Sequence, residues 1–215
     1  MTANEMIISL KDVKLAGELH VPPDALGLVL FAHGSGSSRH SPRNQSVARQ
    51  LRERNVGTLL FDLLTAEDER AEAVTDHLRF DIPFLARRLT GVTRWALDQA
   101  PTRGFSVGYF GSSTGAAAAL LAAAELGETV RAVVSRGGRP DLAGAALPRV
   151  KAATLLIVGG NDAAVIPLNE EACGRLRCEK ALRIVPGASH LFEEPGSLET
   201  VAALAAEWFA DHLRP

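Results

Sequence analysis

The sequence has few of the features that mark secreted, membrane-spanning or nucleic-acid-binding proteins. Its two cysteines, Cys173 and Cys178, have no histidine nearby to complete a metal site, and we expect free thiols in a cytoplasmic protein. The formal net charge of -2 favours neither nucleic acid nor an anionic membrane as a partner. No run approaches the ~20 apolar residues of a membrane span. Residues 1–10 lack the basic and apolar regions of a signal peptide.

Apolar, strand-like runs alternate with helix-like segments along the chain. Its 215 residues, of which 47% are hydrophobic, suffice for one domain over 1–215 that buries roughly 70% of its unfolded surface. Strands are predicted at 6–10, 13–21, 28–32, 56–64, 107–110, 130–135, 154–158 and 181–185. Helices are predicted at 42–55, 81–99, 114–126, 168–176 and 197–213, with a short one around 142.

This alternation indicates an α/β fold. Its sheet should be mostly parallel and covered on both faces, with an antiparallel N-terminal edge formed by the first two strands. Ser41 and Asp81 are expected to cap the helices that follow them, because their side chains can accept backbone N–H groups. Segment 65–80 is polar, and we predict a loop or a short surface helix there.

A G-x-S-x-G pattern, Gly111-Ser112-Ser113-Thr114-Gly115, joins a predicted strand to a predicted helix. The strand before it is apolar, and the helix after it consists almost wholly of alanine and leucine, the strongest helix formers. In this context the pattern is the nucleophile elbow, in which a serine is exposed on a sharp, strained turn. We therefore identify Ser113 as the candidate nucleophile.

A second G-x-S-x-G lies a few residues upstream, at Gly104-Phe105-Ser106-Val107-Gly108. It precedes the predicted strand, and no helix follows it, so it lacks the setting of an elbow. We expect Ser106 to lie at the start of the strand and to take no part in chemistry.

A serine nucleophile needs a histidine to accept its proton, and the histidine needs a carboxylate to orient it. Asp162 and His190 each follow a predicted strand, at the sheet edge where Ser113 lies. The chain order Ser, Asp, His is the order found in α/β-hydrolases. Asp141 is the alternative acid, but its surroundings are typical of a helix start, where backbone N–H groups would occupy its carboxylate.

The oxyanion that forms when serine attacks an ester needs two preorganised N–H donors. The backbone N–H of Thr114, directly after the nucleophile, is one candidate. The loop after strand 28–32 should supply the other, for which we choose Ser35. His33 begins the same loop, and we expect it to make structural hydrogen bonds and not to act as the base.

Several stretches resemble the dienelactone-hydrolase-like group of small α/β-hydrolases, and the resemblance covers nearly the whole chain. They are 33–44 (HGSGSSRHSPRN), 77–82 (HLRFDI), the Ser113 elbow, 160–162 (GND) and 188–190 (ASH). The first two are similar to a bacterial subgroup sometimes fused to a phosphoribosyltransferase domain, and these 215 residues contain no such domain. The resemblance implies ester hydrolysis by a Ser or Cys triad without a metal or organic cofactor.

The elbow residue differs from that of dienelactone hydrolases, which carry cysteine where this chain has Ser113. We therefore expect a general carboxylesterase and not a lactone-specific enzyme. The connection 136–153 is short, whereas larger family members insert a cap domain there. The site should therefore be open and shallow, which suits small or exposed esters.

Some arginines lie near the predicted carboxyl ends of strands, namely Arg39, Arg43, Arg136 and Arg139. If two of them face the site, an anionic substrate is favoured. The alternative is that they pair with nearby carboxylates, which are Asp62, Glu67 and Asp141. As candidate substrate-binding residues we take Gly34, Gly36, Arg39 and Arg136.

The interpretation that accounts for these features is a cytoplasmic serine hydrolase that cleaves small carboxylic esters through an acyl-enzyme. Its expected partner is the small-molecule ester, with no metal, nucleic acid or membrane, and monomer and homodimer both stay open. An acyltransferase or peptidase would use the same triad. A non-catalytic or regulatory member of the fold is the competing class, and an intact Ser–Asp–His set argues against it.

Overall fold

The computed structural model describes residues 4–75 and 77–214. Within them the strands are β1 Asn4–Ser9, β2 Lys14–His20, β3 Leu28–Ala32, β4 Gly57–Phe61, β5 Val107–Ser112, β6 Val130–Arg136, β7 Ala153–Gly159 and β8 Lys180–Val185. The α-helices are α1 Pro42–Glu53, α2 Ala66–Thr75, α3 Ile82–Asp98, α4 Thr114–Leu126, α5 Ile166–Arg175 and α6 Ser197–His212. Three 3-10 segments complete the secondary structure of the described residues, at Leu78–Phe80, Gly127–Thr129 and Pro140–Arg149.

The strands form one open sheet in the order β1-β2-β4-β3-β5-β6-β7-β8. β1 pairs antiparallel with β2, and β2 with β4, while all the remaining pairs are parallel. The predicted fold, a mostly parallel sheet with an antiparallel N-terminal edge, is confirmed. The parallel arrangement brings the carboxyl ends of β3 to β8 to one edge of the sheet, where ligands bind in open α/β sheets.

Strand β3 shows how both faces of the sheet are covered. Leu28, Leu30 and Ala32 are buried in one apolar layer with residues of α3 and α4. Val29 and Phe31 are buried in the other layer with residues of α1 and α6. Successive side chains of a strand point to opposite faces, so a continuous apolar run is what a strand buried on both sides requires.

The predicted helix caps are present. Ser41 Oγ accepts the Asn44 N–H at 3.4 Å at the start of α1. Asp81 Oδ1 accepts the Phe84 N–H at 2.9 Å at the start of α3. Each cap satisfies an N–H group that has no partner within its own helix.

The structure corrects the predicted bounds of segment 56–64 and shows the secondary structure of segment 65–80. The strand predicted at 56–64 covers only Gly57–Phe61. Beyond it, the Leu63 N–H donates to the His33 side chain at 2.9 Å and not to a neighbouring strand. The segment predicted as a loop or short helix, 65–80, forms α2 and a 3-10 turn, and residue 76 within it lies outside the described residues. Thr65 and Asp68 cap α2 by exchanging hydrogen bonds between their backbone N–H groups and side chains.

Cys173 lies on α5 and Cys178 lies just before β8, and both are free thiols. In the part of the chain that the structure describes, no helix combines the length and apolar character that crossing a bilayer demands.

Candidate active site

Ser113 lies between β5 and α4 in a strained backbone conformation, with φ 50° and ψ -124°. Positive φ is uncommon for residues other than glycine and is held only where the surrounding structure enforces it. Close contacts at the flanking glycines, Gly111 and Gly115, hold the turn in this conformation. A Cβ on Gly115 would lie 2.1 Å from the Ala32 carbonyl oxygen, and one on Gly111 would lie 2.5 Å from the Ala116 Cα. Strand and helix therefore pass too closely for any side chain at these two positions.

Ser106 lies at the opposite end of β5, immediately before its first residue. Its carbonyl oxygen accepts the Leu28 N–H at 2.9 Å, so it helps align the start of β3. The two G-x-S-x-G patterns thus lie at opposite edges of the sheet, and Ser113 alone lies at the edge formed by the carboxyl ends.

Asp162 and His190 are in direct contact, with Asp162 Oδ2 2.6 Å from His190 Nδ1. Asp162 belongs to the loop after β7 and His190 to the loop after β8. These loops touch because β7 ends in glycine: a Cβ on Gly159 would lie 2.4 Å from the Ala188 carbonyl oxygen. The 2.6 Å distance is that of a hydrogen bond between the carboxylate and the imidazole.

Asp141 pairs with an arginine, which was one of the two interactions expected of it, and it does not cap a helix. Its two carboxylate oxygens accept hydrogen bonds from Arg139 Nε and Nη2, at 2.9 and 2.8 Å. These bonds raise the pKa of Arg139. The expectation that backbone N–H groups occupy this carboxylate was wrong, because the neighbouring guanidinium offers two parallel donors in the geometry that a carboxylate prefers.

Ser113 and His190 line one cavity of about 140 Å³, together with Gly34, Ser35 and Arg136. His190 is packed over the turn after β6, where a Cβ on Gly137 would lie 3.6 Å from His190 Cε1. The side chain of Asp162 is 11% exposed and that of His190 is 40% exposed. The carboxylate is thus largely shielded, whereas the imidazole remains accessible from the cavity.

The candidate oxyanion donors, Ser35 and Thr114, are neighbours. The Ser35 N–H donates to Thr114 Oγ1 at 3.2 Å. Thr114 is the first residue of α4, so its own N–H has no acceptor within the helix and lies at the positive end of the helix dipole. Gly34 permits this approach, since a Cβ there would lie 2.9 Å from Ser113 Cβ.

His33 joins two loops at the carboxyl edge of the sheet. Its Nε2 accepts the Leu63 N–H at 2.9 Å, and its Nδ1 lies 3.0 Å from the Gly34 carbonyl oxygen. Both contacts are satisfied by the neutral ring with its proton on Nδ1. Burial lowers the pKa of His33, which also favours the neutral form. The ring is therefore occupied in holding the loop that carries Ser35.

The four arginines near the site divide into two pairs. Arg39 forms an ion pair with Asp62, and its backbone N–H also donates to Asp62 Oδ1 at 2.7 Å. Arg139 is paired with Asp141, as described above. Arg43 and Arg136, by contrast, line the 140 Å³ cavity that contains Ser113.

A second and larger cavity of about 630 Å³ adjoins the first and shares Gly34, Ser35 and Arg43 with it. Gly36, a candidate binding residue, lies in its wall, whereas Arg39 lines neither cavity. Arg43 was not among the candidate binding residues. Its position directly after Pro42 at the start of α1 was a usable signal, because α1 follows a strand whose carboxyl end lies at the site.

Comparison with known proteins adds an independent line of evidence. The chain is 58% identical to a dienelactone hydrolase from Anabaena variabilis of known crystal structure, with 99% of each chain covered and a TM-score of 0.97. An esterase domain of a Rhodothermus marinus protein shares the fold, with a TM-score of 0.76 at 18% identity, covering 99% of this chain and 100% of that one. No family model matches the chain.

Curated relatives are similar in sequence but longer. Two Mycobacterium tuberculosis proteins, provisionally named phosphoribosyl transferases, are 58% identical to this chain over 201 residues. The match takes in 94% of this chain and 44% of each relative. The chain therefore spans less than half the length of these relatives.

Proposed function

This chain belongs to the dienelactone hydrolase family of α/β-hydrolases, and from that premise we propose that it is a serine hydrolase that cleaves small carboxylic esters. Ser113 is the nucleophile, His190 the general base and acid, and Asp162 the acid that orients the histidine. Hydrolase and esterase neighbours in structure support hydrolase activity. The ester substrate and the roles of individual residues are our proposal.

The observation that carries this proposal is the 2.6 Å contact between Asp162 and His190, beside a cavity that also contains the strained Ser113. A carboxylate on Nδ1 keeps the proton on that nitrogen and leaves Nε2 as an acceptor. It also stabilises the imidazolium that forms when the serine proton is taken. These features support the roles proposed for the three side chains.

The reaction proceeds in two steps. Ser113 Oγ attacks the ester carbonyl while His190 takes its proton, and His190 then protonates the departing alcohol. Water, activated by the same imidazole, attacks the acyl-enzyme and releases the carboxylic acid. The tetrahedral oxyanion accepts the N–H groups of Thr114 and Ser35. The Ser35 N–H donates to the neutral Thr114 hydroxyl at 3.2 Å, and a developing oxyanion is a stronger acceptor.

Hydrolysis is favoured over acyl transfer because the site is open to water. Between β6 and β7 the chain forms only the 3-10 segment Pro140–Arg149 and no cap. The half-buried imidazole of His190 is therefore reached by solvent, and an enzyme that transfers acyl groups must keep water out. The phosphoribosyl transferase name of the M. tuberculosis relatives is not carried over, since the match covers only 44% of them.

We further propose that residues 1–215 form one domain, because β1 to β8 share a single sheet. A cytoplasmic location accords with the two free thiols, since disulfides persist mainly outside the cytosol.

Active-site labelling tests the proposal. The protein is incubated with a fluorophosphonate probe, the labelled peptide is mapped by mass spectrometry, and p-nitrophenyl esters of rising acyl length are assayed alongside. We expect the label on Ser113 and the fastest turnover with short acyl groups. Ser113→Ala should lose the label and the activity, and Ser106→Ala is the matched control that keeps both. Labelling of Ser106, or of the Ser113→Ala protein, would refute the assignment.

A further inference from the structure

The backbone N–H and carbonyl groups of Ser113 are both bound by one turn. This β6 turn consists of residues 136–139 and begins at the last residue of β6. The Ser113 N–H donates to the Arg136 carbonyl at 3.4 Å, and the Ser113 carbonyl accepts the Arg139 N–H at 3.1 Å. The positive φ of Ser113 persists only where the surrounding structure holds it. The β6 turn is therefore one of the elements that hold the nucleophile in its strained conformation.

The β6 turn also packs against the loop that carries His190. A Cβ on Gly137 would lie 2.9 Å from the His190 carbonyl oxygen and 3.4 Å from the Phe192 ring. The Gly137 N–H donates to the Ile157 carbonyl of β7 at 2.8 Å. The turn thus lies between β7 and the histidine loop, with no room for a side chain at this glycine. A shift of the turn would change the position of Ser113 relative to His190.

Asn169, on α5, holds the β6 turn from behind. Its Nδ2 donates to the Gly138 carbonyl at 3.1 Å and to the Val165 carbonyl at 3.0 Å. Val165 ends the loop that carries Asp162, and its N–H donates to the Asp162 carbonyl at 3.0 Å. One side-chain nitrogen therefore joins the turn that contacts Ser113 and the histidine loop to the segment of the catalytic carboxylate.

The burial of Asn169 carries a cost in free energy. The residue is fully buried, and its Oδ1 has no hydrogen-bond partner among the described residues. Asparagine is also unfavourable inside a helix, because its side chain competes with the backbone for hydrogen bonds. The two N–H donors of Nδ2 nevertheless match the two carbonyl oxygens that they face. This match, at a position that local preference disfavours, indicates a function for the amide.

We propose that Asn169 is a positioning residue for the proposed hydrolysis. Through Gly138 it fixes the β6 turn, and through this turn it sets the distance and angle between Ser113 and His190. The inference rests on the proposed esterase function and adds a residue outside the Ser–Asp–His set. A misplacement of about 1 Å can cost on the order of 10²-fold in rate, so a hydrogen bond away from the reacting atoms can control turnover.

Asn169→Ser separates this role from a role within α5 alone. A serine hydroxyl has one proton, which it can donate to the Val165 carbonyl in the preceding turn of the helix. The contact within the helix is then kept, whereas the contact with Gly138 is lost. We expect kcat for p-nitrophenyl acetate to fall roughly 10- to 100-fold with KM nearly unchanged. The rate at which a fluorophosphonate labels Ser113 should fall by a similar factor.

Asn169→Ala is a second test of the same contact. It loses the hydrogen bonds to both Gly138 and Val165. We expect the same fall in kcat as in Asn169→Ser, together with a larger fall in Tm, because a further buried carbonyl loses a donor. All rates are measured well below the lowest Tm of the set, so that every variant is folded. An unchanged kcat in both variants would overturn the proposal.

Thr93→Val is the matched control for the loss of a buried hydrogen bond. Thr93 is also fully buried in a helix, and its Oγ1 donates to the Leu89 carbonyl at 2.8 Å. It also contacts the Tyr109 hydroxyl at 2.6 Å, in the apolar layer between α3 and the sheet. Thr93→Val should lower Tm and leave kcat unchanged. A fall in its kcat equal to that of Asn169→Ser would show a general effect of stability and overturn the proposal.

Hydrogen–deuterium exchange distinguishes failure of this inference from failure of the proposed function. If wild type neither cleaves esters nor takes the label, the esterase proposal fails, and exchange in peptides that cover 111–115 and 136–139 decides. Faster exchange there in Asn169→Ser, with no change in Thr93→Val, would support the link from Asn169 to Ser113. Unchanged exchange in Asn169→Ser, or an equal increase in both variants, would overturn it.

Discussion

Asp162 and His190 are held together by the backbone around them. The Asn161 N–H donates to the Ala188 carbonyl at 2.9 Å, and Asn161 Nδ2 donates to the Gly187 carbonyl at 2.8 Å. These bonds tie the loop after β7 to the loop after β8 on either side of the 2.6 Å contact. Backbone contacts thus hold the pair in place, and a fixed position of this kind is what the proposed catalytic role requires.

We predict that Asp162→Asn lowers turnover of a p-nitrophenyl ester by roughly 10⁴ while the protein stays folded. Asparagine keeps the shape but favours the wrong tautomer of His190 and cannot stabilise the imidazolium. Steady-state kinetics and thermal unfolding measure the two effects. Asp141→Asn is the control, and its turnover should stay within a few-fold of wild type. If the two variants exchange these results, Asp141 is the catalytic acid.

His190→Ala should lose activity to an extent similar to Ser113→Ala, on the order of a millionfold, because residues that act as a unit are not additive. His33→Ala, where it folds, should keep measurable turnover, because the His33 ring holds a loop and does not accept the serine proton. Steady-state kinetics of the variants with a p-nitrophenyl ester test this. An inactive, folded His33→Ala protein beside an active His190→Ala protein would assign the base to His33.

A third prediction concerns His33 and stability. Because burial lowers its pKa, the folded protein holds the ring neutral at pH values where the unfolded chain protonates it. Stability is therefore lost as pH falls below the unfolded value of about 6.5, by at most ~1.4 kcal/mol per pH unit, and is unaffected above it. His33→Gln keeps an acceptor for the Leu63 N–H but cannot titrate. Urea unfolding at several pH values should show a weaker acid dependence in the variant, and equal dependence would contradict the prediction.

Gly115 and Gly174 give a matched pair of predictions on the free energy of unfolding. Gly115→Ala would place a Cβ 2.1 Å from the Ala32 carbonyl oxygen, and should cost roughly 1–3 kcal/mol or more because strand and helix must separate. Gly174, on α5, has no atom within 4 Å of an added Cβ. Gly174→Ala should stabilise the protein by about 0.4–1 kcal/mol through higher helix propensity and a less flexible unfolded chain. Denaturant unfolding measures both, and a neutral Gly115→Ala would show that the elbow tolerates displacement.

The elements of this protein were predictable from the sequence because their signals are local. The apolar runs of β3 and β7 and the alanine-rich α4 each indicate one kind of secondary structure within a few residues. The edge carrying Ser113, Asp162 and His190 followed from strand order and the general rule for parallel sheets. Boundaries were less predictable: β4 ends at Phe61, and the Leu63 N–H that follows donates to the distant His33 side chain, a tertiary contact that no local pattern contains.

Only the tertiary structure decided which charges are paired. Arg39, Arg43, Arg136 and Arg139 all lie near strand ends in the sequence, and only Arg139 has a carboxylate, Asp141, within three residues of it. Asp141 binds Arg139, two residues away, although its position also suited a helix cap. No carboxylate whose side chain the structure describes forms an ion pair with Arg136, which ends β6 and lines the cavity beside Ser113. A long side chain can reach partners from distant parts of the chain. The free energy of each ion pair depends on how deeply it is buried, which no local pattern contains.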